Sequence, residues 1–116
     1  MIARLLASAC MAAVVLAASS GAAEEEIQLA IIRGVLPAAQ RVLRVREGDQ
    51  VRFAWRSDRL LTVHLHGYDI EWRVRPGDVV RSSFTAYASG RFPIEIHWSN
   101  DGHQDTPLAV LEVYPK

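Results

Sequence analysis

The chain predicts an all-β domain of about seven strands, packed as a two-sheet Greek-key sandwich or barrel and preceded by a signal peptide. Three observations lead there. From Ile27 onward apolar residues alternate with polar ones at a period of two, segment after segment. Turn-forming residues separate these segments at regular spacing. Nowhere in the same region does an apolar period of 3.6 persist long enough to make a helix.

Taken in order, "IQLAIIRG" at 27–34 forms the first strand, and "LPAAQ" at 36–40, opened by Pro37, is a loop or a brief edge segment. In "RVLRV" Leu43 and Val45 face one way while Arg44 and Arg46 face the other, and "EGDQ" turns the chain. Val51, Phe53 and Trp55 make a buried row opposed by Arg52 and Arg56, the alternation of a sheet that is wet on one side. With Arg44 and Arg46, these arginines predict an outward basic stripe across two strands. "SDR" leads into a strand whose apolar face is Leu61, Val63 and Leu65. Ile70, Trp72 and Val74 then alternate with Glu71, Arg73 and Arg75, before a turn at Pro76 to Asp78. Val80, Ser82, Phe84 and Ala86 are the next inward row, and "YASG" bends the chain. Phe92, Ile94, Ile96 and Trp98 follow, with Pro93 pointing to an edge or a strand start because it cannot donate to a ladder. The loop "SNDGHQDTP" precedes a closing strand, "LAVLEV".

Residues 1–23 have a different character. Arg4 lies in a short basic start, an apolar run extends from Leu5 to about Ala18, and small residues precede the glutamates at 24–26. This is the pattern of a secretory signal peptide cleaved after Ala22 or Ala23. The expected product is a single domain, 24–116, in the periplasm or secreted, with no integral membrane span left after cleavage. The only cysteine, Cys10, and both methionines, Met1 and Met11, fall within the signal. The domain therefore has neither disulfides nor soft sulfur ligands. Thirteen basic and thirteen acidic residues balance across the chain, which argues against nucleic acid as a partner. Catalytic motifs are missing: no Ser-in-elbow, no phosphate-cradling glycine loop and no His-Glu-x-x-His. The expectation is a protein that is not an enzyme.

The stretches "VREGDQVRFAWRSD", "HLHGYDIEWRVRPGDVVRSSFTAYASGRFPIEIH" and "LAVLEVYP" resemble a cupredoxin-type domain. The likeness is to small exported bacterial variants marked by His-x-His-Gly-Tyr-Asp, and it runs from about Val45 to Pro115. It implies a Greek-key β-sandwich with a metal site at one end, formed by the histidine segment and the loop before the last strand. Blue-copper members place a cysteine after the Gly-x-aromatic strand, then a histidine and usually a methionine. Here the cysteine-like position falls near Ile96, and neither Cys nor Met follows. A His2Cys site with an axial thioether is impossible.

All four histidines, His64, His66, His97 and His103, lie in the two segments that such a fold brings together. On an extended strand, residues i and i+2 share a face roughly 6 to 7 Å apart, so His64 and His66 can converge on one ion while Leu61, Val63 and Leu65 take the apolar face. His103 or His97 supplies a third nitrogen. Imidazoles with carboxylate or water suit Cu(II) ahead of Zn(II), and Asp69, Asp101 and Asp105 are candidate oxygen ligands or ring-orienting partners. The expected role is storage, delivery or tolerance of copper. Gly67-Tyr68-Asp69 reads as a structural turn, with the tyrosine covering the end of the sandwich. A competing expectation is a metal-free sandwich, with no cofactor, serving as a binding or accessory module for an envelope protein.

Overall fold

The structure, a computed structural model, describes residues 25–98 and 105–116. The signal peptide expected at 1–23, Asp101 and His103 lie outside the described residues. Eight strands are present among those described: β1 (Glu26–Ile31), β2 (Val42–Arg46), β3 (Gln50–Ser57), β4 (Leu61–Leu65), β5 (Ile70–Val74), β6 (Val80–Thr85), β7 (Gly90–His97) and β8 (Asp105–Tyr114), with one 3-10 turn at Ala38–Gln40. They form a three-stranded sheet in the order β1-β3-β6 and a five-stranded sheet in the order β2-β8-β7-β4-β5. The β1–β3 and β2–β8 pairs are parallel and the others antiparallel.

The apolar rows close the two sheets on each other. Phe53, Trp55, Val63, Leu65, Val74, Ile94, Ile96 and Leu111 are all fully buried. Across the sandwich the Phe53 ring on β3 meets Trp72 on β5 at 5.9 Å, near edge to face, and Trp55 lies 5.5 Å from the same indole. Such aromatic pairs add about 0.5–1.5 kcal/mol beyond their area burial.

In four places local chemistry overrides the alternation pattern. β1 stops at Ile31, because Ile32 and Val35 close a tight turn by exchanging backbone hydrogen bonds, with Arg33 and Gly34 both at positive φ. The Asp58 carboxylate accepts the Arg33 backbone N–H and holds this turn. Pro93 marks no edge: β7 is central, between β8 and β4. The proline is tolerated because β4 has already ended at Leu65, and the Pro93 carbonyl still accepts the His66 N–H at 3.0 Å. The basic stripe does not exist, since β2 and β3 belong to different sheets, and Arg44 pairs with Glu112 while Arg56 donates to Gln28. Finally, β8 starts at Asp105 within the expected loop, and between Ile94 and Glu95 its register to β7 slips by one residue. That bulge turns both Leu108 and Ala109 inward.

Candidate metal centre

β4 carries His64 and is flanked by β5 and β7, so register alone decides its neighbours. His64 stands opposite Glu71 on β5 and Glu95 on β7. Two pairs along, His97 on β7 stands opposite Thr62 on β4 and Asp105 on β8. Because Leu61, Val63 and Leu65 fill the core, His64 is turned to the outer face of the five-stranded sheet. His97 and Glu95 reach the same face because Ile94 and Ile96 point inward.

The imidazoles make a connected array. His97 Nδ1 pairs with Asp105 Oδ1, and His97 Nε2 lies 3.1 Å from His64 Nδ1. The His64 and His66 ring centroids are 4.1 Å apart, and His66 Nε2 lies 3.1 Å from Glu95 Oε2. A neutral His97 that donates Nδ1–H to Asp105 presents a lone pair at Nε2. Two bare nitrogen lone pairs facing each other at 3.1 Å would repel, so a proton or a metal ion must stand between His97 and His64. With metal–nitrogen bonds of about 2.0–2.1 Å, nitrogens so spaced subtend roughly 100° at a shared ion, between square-planar and tetrahedral. The donor set therefore fits a divalent ion. Carboxylates bonded to His97 and His66 are the partners that orient and strengthen ligating imidazoles.

The turn after β4 places His66. Gly67 takes φ +83°, and a Cβ there would lie 2.5 Å from Phe92 Cδ1, so only glycine lets the chain reverse against that ring. The Tyr68 hydroxyl donates to the Ala88 carbonyl at 2.8 Å and accepts the Ala88 N–H at 3.2 Å. This is the structural role expected of Gly67-Tyr68-Asp69. Trp98 packs partly buried against the core, donates Nε1–H to Thr106 Oγ1 and lies beside Gly34.

Thus the structure brings His64, His66 and His97 together with Asp105, but on a sheet face built from strands instead of among loops at the end of the sandwich. Asp69, exposed at φ 53°, belongs to the turn and not to the cluster. Glu71 and Glu95 complete it. In sequence both look like ordinary outward residues; the one signal able to reveal them is strand register, since each pairs directly with His64.

No protein-family model matches the chain, and no curated protein does. Solved structures do. A chain of a heme-copper terminal oxidase dimer is similar at TM-score 0.63 and 16% identity, over 78% of this chain and 65% of that one. The periplasmic domain of subunit II of cytochrome oxidase (CoxB) of Bradyrhizobium japonicum matches at 0.60 and 12%, over 78% and 84%. A copper binding protein in the apo form matches at 0.56 and 14%, over 76% and 85%. The chain thus spans less than two thirds of the oxidase chain, and 39% of a multicopper oxidase that it also resembles. At these identities the likeness establishes the fold, which is cupredoxin-like.

Proposed function

We propose that this cupredoxin-like domain is an exported protein that binds a divalent metal, Cu(II) ahead of Zn(II), through His64, His97 and His66. Its role is storage, delivery or tolerance of copper, and no reaction is assigned to it. The observation that carries the reading is the 3.1 Å approach of His97 Nε2 to His64 Nδ1, from two adjacent strands, with carboxylates on either side. Nitrogen and oxygen donors suit Cu(II) and Zn(II), and among divalent first-row ions copper generally binds such sites most tightly. Blue-copper electron transfer is disfavoured because residues 24–116 contain no sulfur. Export rests on the signal-peptide pattern of residues 1–23, supported by the likeness to a periplasmic oxidase domain. Among the described residues, no helix is long and apolar enough to cross a membrane.

Equilibrium dialysis of the purified protein against Cu(II) tests this. A submicromolar site is expected in the wild type and none in the double variant His64→Ala/His66→Ala, and the copper form should show weak d–d absorption without the intense band of a thiolate–copper bond. Equal, weak binding by both proteins overturns the reading. A metal-free accessory module would then stand in its place. That alternative draws on one feature: Asp105 and Glu95 already satisfy His97 and His66 through hydrogen bonds alone.

A further inference from the structure

The histidine face carries more ligand atoms than one ion uses. Two groups with no shared member each gather their ligand atoms within 4.8 Å: His64, Glu71 and His97 in one, His66, Glu95 and Asp105 in the other. Each contains at least one imidazole and one carboxylate. Zinc and copper sites of this kind are satisfied by about four donors, water included, so six side chains exceed the need of a single ion.

Charge also calls for cations on this face. With neutral imidazoles, Glu71, Glu95 and Asp105 place three negative charges on a small area. Among the described residues, no arginine or lysine pairs with any of them. The hydrogen bonds within the array also leave the carboxylates partly free. Among the described residues, Asp105 uses Oδ1 on His97 and keeps Oδ2, and Glu95 uses Oε2 on His66 and keeps Oε1. The bulge in β8 adds an independent observation. With Val110 and Glu112 on the outer face, strict alternation would send Asp105 inward; the extra residue at Leu108–Ala109 brings it out opposite His97.

We infer that this face is a two-ion centre, with one divalent cation on His64, His97 and Glu71 and a second beside it on His66, Glu95 and Asp105. Asp105 joins the two halves, since it belongs to the second group and orients the principal imidazole of the first. Two divalent ions on three carboxylates leave a net charge of +1 and a single ion leaves −1, so charge admits either count and the number of donors is what favours two. The inference rests on the proposed metal-binding function and extends it to stoichiometry and to the residues that hold each ion.

The test is a count. The purified full chain is loaded with excess Zn(II), passed through gel filtration and assayed for metal per chain by mass spectrometry; the same is done for His64→Ala, His66→Ala and Glu95→Gln. Two ions are expected on the wild type. One is expected on each variant, with His64→Ala keeping the ion that His66→Ala and Glu95→Gln lose. Loading with Cu(II) should add a magnetic signature: a simple mononuclear resonance at half loading that broadens as the second ion enters its neighbourhood. A wild-type count of one overturns the two-ion inference and leaves the proposed function standing. A count of zero with Zn(II) and with Cu(II) alike overturns both. Two ions on His66→Ala and Glu95→Gln as well would overturn the assignment of the second position. Far-ultraviolet circular dichroism shows that each variant is folded, and because all three side chains face outward the β signal should be unchanged.

Discussion

Two polar rows share the outer face of the five-stranded sheet, and they treat their carboxylates differently. In one, Arg44 on β2, Glu112 on β8 and Arg91 on β7 lie in register, and both guanidiniums pair with the one carboxylate. The Glu112 side chain is only 12% exposed. Its carboxyl is held below its ordinary value, first by the hydrogen bond from Tyr114 and then by Arg91 and Arg44, against an opposing desolvation. In the other row, beyond the Pro93–Val110 pair, Glu71, Glu95 and Asp105 stand among imidazoles. A carboxylate flanked by arginines is already neutralised and has nothing left to offer. Carboxylates flanked by histidines keep their charge for a cation, because the rings supply lone pairs as readily as protons. Polarity on a sheet face does not distinguish a site from a surface; the identity of the counter-charge does.

The largest effect that would break this contrast concerns metal affinity. Asp105→Asn should weaken divalent-metal binding at the His64–His97 position by about 10- to 100-fold, the usual cost of losing a partner that orients a ligating histidine, and should release the second ion as Glu95→Gln does. Glu112→Gln should leave it unchanged. Isothermal titration of both variants checks the pair, and equal losses would mean that the two rows are not different in kind.

A smaller effect separates the turns that support the face. Gly67→Ala combines a positive φ with a clash against Phe92, whereas Gly77, also at positive φ, has nothing within 4 Å of a new Cβ. Urea unfolding should show Gly67→Ala destabilised by about 1–3 kcal/mol, and Gly77→Ala by less, from backbone strain alone.

The smallest effect belongs to the arginine row and to acid. The depressed carboxyl of Glu112 contributes stability that is complete above its ordinary value of 4.5 and is lost as pH falls through its lower folded value. The melting temperature of Glu112→Gln should therefore fall below that of the wild type at neutral pH, with the gap closing as the medium becomes more acidic than pH 4.5. A gap that stays constant with pH would assign the loss to packing instead of charge.

Much of this architecture was legible in the residues. Val51, Phe53 and Trp55, Leu61, Val63 and Leu65, and Ile94 and Ile96 are buried as their period-two spacing predicts, because strand geometry leaves alternate side chains no other choice. His64 and His66 declare themselves by the same rule. What alternation cannot express is which strands are neighbours. Glu71 and Glu95 enter the site through cross-strand register. Arg44 and Arg52, only eight positions apart, part company because consecutive strands β2 and β3 join different sheets. The facing of Asp105 is hidden by an irregularity in β8 that leaves no mark in composition.

That irregularity has a mechanical consequence. A strand with one residue too many is two shorter strands in series, each free to keep its own phase against the neighbour. The stretch from Asp105 to Pro107 can follow β7 without dragging Glu112 away from its arginines. Changes of chain length just upstream can accordingly be absorbed at Leu108–Ala109, and the far half of β8 need not feel them.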